Sequence, residues 1–261
     1  MNTAENPIIF AGAGPGDPEL MTVKSMKAVR DADLVIYAGS LVPEAVLIWK
    51  GEQTQTRSSA GMTLEDMVDA MAEAHARGKR VVRLHTGDPA LYGAIFEQIR
   101  ELQKKEIPYT VIPGVTAAFA AAAAMRMEYT LPEVTQTLIL TRVSGRTPVP
   151  ETEELDRLAS HQSSMAIYLS VGMAEKIQGI LAPHYGADSP CAIAYKVAHP
   201  EEQIHYTTIG ELARTCAEKN ITRHALIIVG KAVEASLGNH EIIKSKLYDA
   251  EFTHGYRDAS A

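Results

Sequence analysis

The sequence is short of cysteine and of positive charge. Only two of its 261 residues are cysteines, Cys191 and Cys216, so no disulfide framework can form. Their separation does not match a structural zinc site either, so we expect no metal. Lys and Arg number 25 against 32 Asp and Glu, a formal net charge of -7, which opposes nucleic-acid binding through global charge.

Long apolar segments are also missing. The N-terminus, MNTAENPIIF, has no basic region followed by an apolar stretch, so it predicts no secretory signal. The longest run of small apolar residues, 115–125, is too short and too rich in alanine to span a membrane. With 46% apolar and 22% charged residues, the composition is typical of a globular domain. We expect a cytoplasmic α/β enzyme without a membrane partner.

Apolar β-branched runs alternate with segments of helical period in the first half. Strands are predicted at 7–11, 33–37, 79–84 and 109–112. Helices are predicted at 22–31, 64–77, 94–105 and 116–126. Thr22 is the expected N-cap of the first helix. This alternation predicts an α/β fold with a parallel or mixed sheet that is covered on both faces.

The second half repeats the alternation with different details. Strands are predicted at 136–141, 164–169, 191–195, 203–208 and 225–229. Helices are predicted at about 152–160, 173–182 and 209–218. The alternating segment QIHYTT predicts an antiparallel strand with one exposed face. Because the rhythm pauses after Met127, we expect an N-terminal α/β domain at 1–127, a C-terminal α/β domain at 128–240 and a polar tail at 241–261.

Four loops that follow predicted strands carry the residues that could bind a ligand. Their sequences are GAGPGDPEL, HTGDPALYG, PGVTAA and LTRVSGRTPVPE. Loops at the carboxyl ends of strands are where open α/β sheets bind ligands. The fourth loop contains Arg142 and Arg146, and arginine pairs well with carboxylates.

The first loop does not match a dinucleotide fingerprint. Its glycines, at 12, 14 and 16, have the wrong spacing for G-x-G-x-x-G. Pro15 removes an N–H group, and Asp17 adds negative charge where a pyrophosphate would bind. The second strand also ends without the acidic residue that would hold a ribose. These features argue against a nucleotide-dependent oxidoreductase, while a tight turn without a ligand stays open.

In this order the four motifs resemble the class III S-adenosylmethionine-dependent methyltransferases that build corrinoids and sirohaem. GAGPGDPEL, GDPALYG and PGVTAA match signatures of that superfamily, and RLHTGDPALYGAIFEQ and TQTLILTRVSGRTPVPE narrow the match. The likeness runs from about Ile8 to Gly230. It implies two α/β domains with a cleft between them, in a homodimer. The implied reaction is methylation of C-11 of precorrin-4 or cobalt-precorrin-4 in cobalamin biosynthesis.

The resemblance also implies roles for single residues. The positions that match donor-contacting residues are Pro15, Thr86, Gly87, Asp88, Leu91, Thr116, Ala117, Leu169, Val197 and Ala225. Val197 stands where related enzymes often carry glycine. If a general base is needed, the candidates are Asp88 and His85. For the acetate and propionate groups of the tetrapyrrole, the expected partners are Arg142, Arg146, Lys196 and His199.

Other functions stay open at this point. One is another tetrapyrrole C-methyltransferase of the same superfamily, and another is a diphthine- or rRNA-modifying relative. The TRVSGRTPVP loop and the lack of basic patches argue against the diphthine-modifying and the rRNA-modifying relatives. A non-catalytic corrinoid- or nucleotide-binding protein would be separated from an enzyme only by an activity test.

Overall fold

The computed structural model describes residues 6–39, 42–238, 245–253 and 255–259. The chain forms two compact units, of which the first comprises Met1–Ala120 with Val197–Pro200 and the second Ala121–Lys196 with Glu201–Ala261. The division therefore falls inside an alanine-rich helix rather than at Met127, where we expected it. Alanine has the highest helix propensity, so the helix continues through the junction.

All five strands of the first unit are parallel. They are β1 (Ile8–Gly12), β2 (Leu34–Tyr37), β3 (Gln55–Ser58), β4 (Val81–His85) and β5 (Tyr109–Ile112), in the order β3-β2-β4-β1-β5. The central strands are apolar on both faces because helices cover both sides of a parallel sheet. Sequence analysis missed β3, since its residues QTRS are polar and exposed, and only pairing with β2 makes them a strand.

In the described part of the first unit, the α-helices beside this sheet are α1 (Val23–Asp31), α2 (Leu64–Ala76) and α3 (Ile95–Lys104). Helix α4 (Ala117–Ala124) begins in the first unit and ends in the second. The predicted cap of α1 is confirmed, because the side-chain oxygen of Thr22 accepts a hydrogen bond from the N–H of Ser25. Two 3-10 turns, Pro18–Leu20 and Glu44–Trp49, were not predicted.

The second unit has a mixed sheet. Its strands are β6 (Leu138–Arg142), β7 (Ser164–Tyr168), β8 (Pro190–Tyr195), β9 (Gln203–Thr208) and β10 (Ala225–Val229), in the order β6-β7-β10-β8-β9. Strands β6 and β7 are parallel, and the other neighbours are antiparallel. The predicted antiparallel strand QIHYTT is confirmed as β9, an edge strand.

The helices of the second unit surround one apolar core. They are α5 (Leu155–Ala159), α6 (Ala174–Tyr185), α7 (Leu212–Glu218) and α8 (Lys231–Ser236), of which α8 was not predicted. Cys191 and Cys216 lie in this core as free thiols, and burial raises the pKa of Cys191 to about 12. The polar tail expected at 241–261 lies partly outside the described residues, and a short 3-10 turn, Lys246–Tyr248, falls within it. In the described parts of the chain, no helix has the length and apolar character needed to cross a bilayer.

Candidate active site

The loops after β1, β4 and β5 leave the first sheet at the same edge. Because the strands are parallel and neighbouring, Gly12 pairs with His85, and Ala11 with Ile112, at their carboxyl ends. Beyond the ends of the strands, the loops after β1 and β4 are also hydrogen-bonded to each other. The N–H of Gly87 donates to the carbonyl of Gly14 at 2.8 Å, and the reverse bond is 3.3 Å.

Three glycines let these loops pack main chain against main chain. A Cβ placed on Gly12 would lie 2.5 Å from the Cα of Gly114 and 2.6 Å from the carbonyl oxygen of Gly87. A Cβ on Gly114 would overlap with that same oxygen. Gly87 itself has a φ of +60°, a left-handed conformation that glycine adopts without penalty. A side chain at Gly12 or Gly114 would therefore displace a loop, whereas one at Gly87 would have room but would require a strained left-handed conformation.

Asp88 ties the loop after β4 to the loop after β5. One carboxylate oxygen accepts a hydrogen bond from the N–H of Gly114 at 2.8 Å, and the other accepts one from Ala90 at 2.8 Å. Because both oxygens are already bonded to main-chain donors, the geometry is that of a group that organises the loops.

Seven of the predicted donor-contacting residues of the first unit lie in these three loops or at the start of α4. Pro15 is buried in the first loop, and Leu91 is half-buried in the second. Thr116 is buried and directly precedes α4, which begins at Ala117. Together with Thr86, Gly87 and Asp88, the structure thus places them at one edge of the sheet.

His85 occupies a different environment from the one expected for a base. Its ring is 3% exposed and stacks against Phe10, with 6.0 Å between ring centroids. Among the described residues its Nε2 has no hydrogen-bond partner. Burial, with a contribution from the charge of Arg83, lowers the pKa of His85 to about 3. An imidazole of such low basicity is poorly suited to accept a proton.

A buried arginine that sequence analysis missed lies beneath this edge. Arg83 is 4% exposed in β4, and its Nε donates to the side-chain oxygen of Gln98 at 3.3 Å. The amide nitrogen of Gln98 in turn donates to the carbonyl of Ala94, just before α3. Burial lowers the pKa of Arg83 to about 10, so the side chain stays charged at neutral pH. The segment KRVVRL contains Lys79, Arg80 and Arg83, and nothing in the segment alone distinguishes the buried residue.

In the second unit, sheet register aligns several predicted residues. Arg142 pairs with Tyr168 at the end of β6 and β7, and Ala225 pairs with Tyr195 at the end of β8. Leu169 follows β7 with a φ of +54°, and it is 63% exposed. A left-handed conformation costs a residue with a Cβ about 1–2 kcal/mol, and such strain concentrates at functional sites.

The basic residues of the second unit differ in how their charges are used. The guanidinium of Arg142 donates to the carbonyls of Thr147 and Pro148, at 2.9 and 2.8 Å, and so holds its own loop. The ammonium of Lys196 lies 3.0 Å from a carboxylate oxygen of Glu201. Arg146 is exposed and has no ion pair in the part of the chain that the structure describes.

His199 and Val197 belong to the first unit. The imidazole of His199 packs against the loop after β1, because a Cβ on Gly16 would lie 2.5 Å from its Cδ2. Val197 is 5% exposed in the same short segment. His199 is thereby brought next to the donor-contacting candidates of the loop after β1.

Comparison with known protein families identifies the family of this chain. The profile of the tetrapyrrole (corrin/porphyrin) methylases matches residues 7–213. This chain belongs to that family. The predicted α/β fold with two α/β domains is confirmed.

Relatives that match nearly the whole chain indicate a narrower group within this family. The chain is 47% identical over 251 residues to a cobalt-precorrin-4 C(11)-methyltransferase of Methanocaldococcus jannaschii, covering 96% of this chain and 95% of the relative. It is also 47% identical over 251 residues to a precorrin-4 C(11)-methyltransferase of Pseudomonas aeruginosa, covering 96% and 98%. The crystal structure of a cobalt precorrin-4 methyltransferase superposes with a TM-score of 0.86 at 41% identity, covering 89% of this chain and 98% of that one.

The three-glycine contact predicts an asymmetric response to alanine. Gly114→Ala should lower the free energy of unfolding by about 1–3 kcal/mol, because the new methyl overlaps with a carbonyl in a packed region. Gly179→Ala, in α6, is the control, since its Cβ would have no neighbour within 4 Å. Alanine there should be neutral or stabilising. Urea denaturation measures both, and equal stabilities of the two variants would contradict the predicted contact.

The burial of His85 predicts a histidine that does not titrate near neutrality. Its pKa is about 3 when folded and about 6.5 when unfolded, so its contribution to stability is present above pH 6.5 and is lost as pH falls toward 3. Histidine ring NMR signals recorded from pH 8 to 5 should include one constant signal that His85→Gln removes. If the missing signal instead titrates near pH 6.5, the assigned environment is wrong.

Proposed function

We propose that this chain transfers a methyl group from S-adenosylmethionine to C-11 of precorrin-4 or cobalt-precorrin-4, yielding (cobalt-)precorrin-5 in cobalamin biosynthesis. The observation that carries the proposal is the 47% identity, over nearly the whole of each chain, to C(11)-methyltransferases of both substrate types. The loops at the edge of the first sheet support it, because they contain the residues that the methylase resemblance implies.

The loops after β1, β4 and β5 fit such a donor. A Cβ on Gly12 or Gly114 would overlap with the main chain of a neighbouring loop, so the three loops meet without side chains between them. When bound, S-adenosylmethionine supplies an activated methyl group on a positively charged sulfur, so the protein needs no covalent nucleophile. We assign the donor to Pro15, Thr86, Gly87, Asp88, Leu91, Thr116 and Ala117, with Leu169, Val197 and Ala225 as further contacts. Holding two reactants in line is worth roughly 7–11 kcal/mol of the barrier.

We propose that Asp88 contributes by positioning rather than as a general base. Its carboxylate fixes Gly114 and Ala90 at 2.8 Å each, and these bonds define the shape of the second and third loops. We assign no proton transfer to His85, since its low pKa makes it a weak base at neutral pH.

For the tetrapyrrole carboxylates we propose Arg146 as the principal partner. It is exposed and has no ion pair within the described residues, whereas Arg142 is hydrogen-bonded to its own loop and Lys196 to Glu201. Arg142 then shapes the loop that carries Arg146. Lys196 and His199 remain proposed secondary contacts.

The homodimer and the cytoplasmic location are further proposals, which rest on the resemblance to the family. Sedimentation velocity of the purified chain tests the first, and cell fractionation tests the second.

The test of the function is a labelled-methyl assay. The protein is incubated with S-adenosylmethionine labelled on its methyl group and with precorrin-4 or cobalt-precorrin-4, and products are analysed by mass spectrometry. We expect one labelled methyl on the tetrapyrrole, and NMR of the product should place it at C-11. Folded protein that transfers no label to either substrate would indicate a carrier, and label at another carbon would indicate a different methyltransferase.

Asp88→Asn separates positioning from proton transfer. The amide offers one acceptor where the carboxylate offers two, so the loops loosen and the Kd for S-adenosylhomocysteine should rise about tenfold. The pH dependence of kcat should keep its shape. Asp33→Asn is the control, because Asp33 accepts a main-chain N–H from Arg80 at 2.8 Å at the opposite edge of the sheet. A kcat that falls at least a hundredfold with unchanged Kd would instead identify Asp88 as the base.

Arg146→Ala should raise the KM for the tetrapyrrole about tenfold or more, because a charge-assisted hydrogen bond to a carboxylate is lost. The Kd for the donor product should change less than twofold. Arg214→Ala is the control. Arg214 is an exposed residue of α7 that forms an ion pair with Glu211, so its replacement should change neither quantity. Steady-state kinetics and calorimetry measure both, and an equal loss of tetrapyrrole and donor binding would contradict the assignment.

A further inference from the structure

The main chain at Leu169 is held in its strained conformation by a neighbour with no assigned role. Leu169 has a φ of +54° and is 63% exposed, so its own side chain gains little from packing to offset that conformation. The next residue, Ser170, is 1% exposed. The strain must therefore be balanced by interactions of the flanking main chain.

The hydroxyl of Ser170 makes two hydrogen bonds at this point. It donates to the carbonyl of Tyr168 at 2.7 Å, which closes a ring of atoms across Leu169. Its oxygen also accepts the N–H of Val143 at 2.9 Å. Both partners are main-chain groups, so the side chain fixes backbone and not another side chain.

Ser170 lies just beyond the point where the hydrogen-bond ladder between β6 and β7 ends. Arg142 and Tyr168 are the last paired residues of β6 and β7. One residue further on, Val143 bonds to the Ser170 hydroxyl instead of to a strand. The side chain of Val143 is 2% exposed in the core, so β6 stays anchored independently of that bond. The hydroxyl thus links the carbonyl that precedes Leu169 to the first main-chain N–H after β6.

We propose that Ser170 is a positioning residue for the methyl donor, whose hydroxyl holds the main chain of Leu169 in the orientation that contacts S-adenosylmethionine. This inference rests on the proposed function, in which Leu169 is a donor contact. Ser170 does not touch the donor in this account and acts through Leu169.

Another buried serine, at the start of β7, provides a matched control. Ser164 begins β7 at its other end, is 0% exposed, and its hydroxyl donates to the carbonyl of Tyr129 at 2.8 Å. Its replacement by alanine removes the same group from an equally buried place without touching Leu169. Loss of stability is therefore common to both variants, and loss of donor binding should be specific to one.

The experiment compares the full-length wild type, Ser170→Ala and Ser164→Ala. Calorimetric titration with S-adenosylhomocysteine should give a Kd raised about tenfold for Ser170→Ala and changed less than twofold for Ser164→Ala. The KM for the tetrapyrrole should change less than the KM for the donor. Amide hydrogen exchange at Val143 should accelerate only in Ser170→Ala. Ser170→Cys, which keeps the shape and weakens both bonds, provides the same comparison if Ser170→Ala does not fold.

Two outcomes would overturn the proposal. One is a Kd within twofold of wild type in a folded Ser170 variant whose Val143 amide exchanges faster. The other is equal weakening of donor binding by both serine variants, since that would indicate a general effect of stability. If the wild type itself binds no S-adenosylhomocysteine, the proposed function fails together with this inference, whereas either of the first two outcomes leaves that function intact.

Discussion

Direct contact between three stretches of main chain is the constraint on which the edge of the first sheet depends. Gly12, Gly87 and Gly114 approach one another so closely that a single carbon added to Gly12 or to Gly114 would overlap with a neighbouring backbone atom. Parallel strands make this approach possible, because β1, β4 and β5 all end at the same edge. Contacts between main-chain atoms therefore set the course of the loops that leave these strands. The three loops therefore meet main chain against main chain at this edge of the sheet.

Each unit fixes its loops with a side-chain oxygen that bonds to main-chain N–H groups. In the first unit the carboxylate of Asp88 joins the loops after β4 and β5. In the second, the hydroxyl of Ser170 joins the ends of β6 and β7. Main-chain groups beyond the end of a strand have lost their ladder partners, so a nearby oxygen is an effective way to satisfy them. In both units, a side chain thus holds the main chain of the loops that carry candidate site residues.

The basic side chains of the second unit also differ in the groups that they contact. Of the basic residues near the ends of β6 and β8, Arg142 supports its own loop and Lys196 pairs with Glu201, while Arg146 remains exposed. A planar guanidinium with five donors can bind two carbonyls at once, which explains why Arg142 serves the loop well. An arginine near a predicted site is thus not automatically a ligand-binding one. Which neighbour it meets decides its role.

The sequence alone determined the α/β alternation, the cap at Thr22, the antiparallel strand QIHYTT and the loops that form the candidate site. These features follow from local periodicity and from turn residues, which act over a few positions of the chain. The tertiary structure alone decided that QTRS is a strand, that the division into units falls within α4, and that His85 is buried and weakly basic. It also decided that Asp88 is bonded at both oxygens and that Ser170 supports Leu169. Most of these features depend on desolvation in the packed fold or on a partner far away in the chain, such as Gly114 for Asp88 and Val143 for Ser170. A short window of sequence contains neither kind of information.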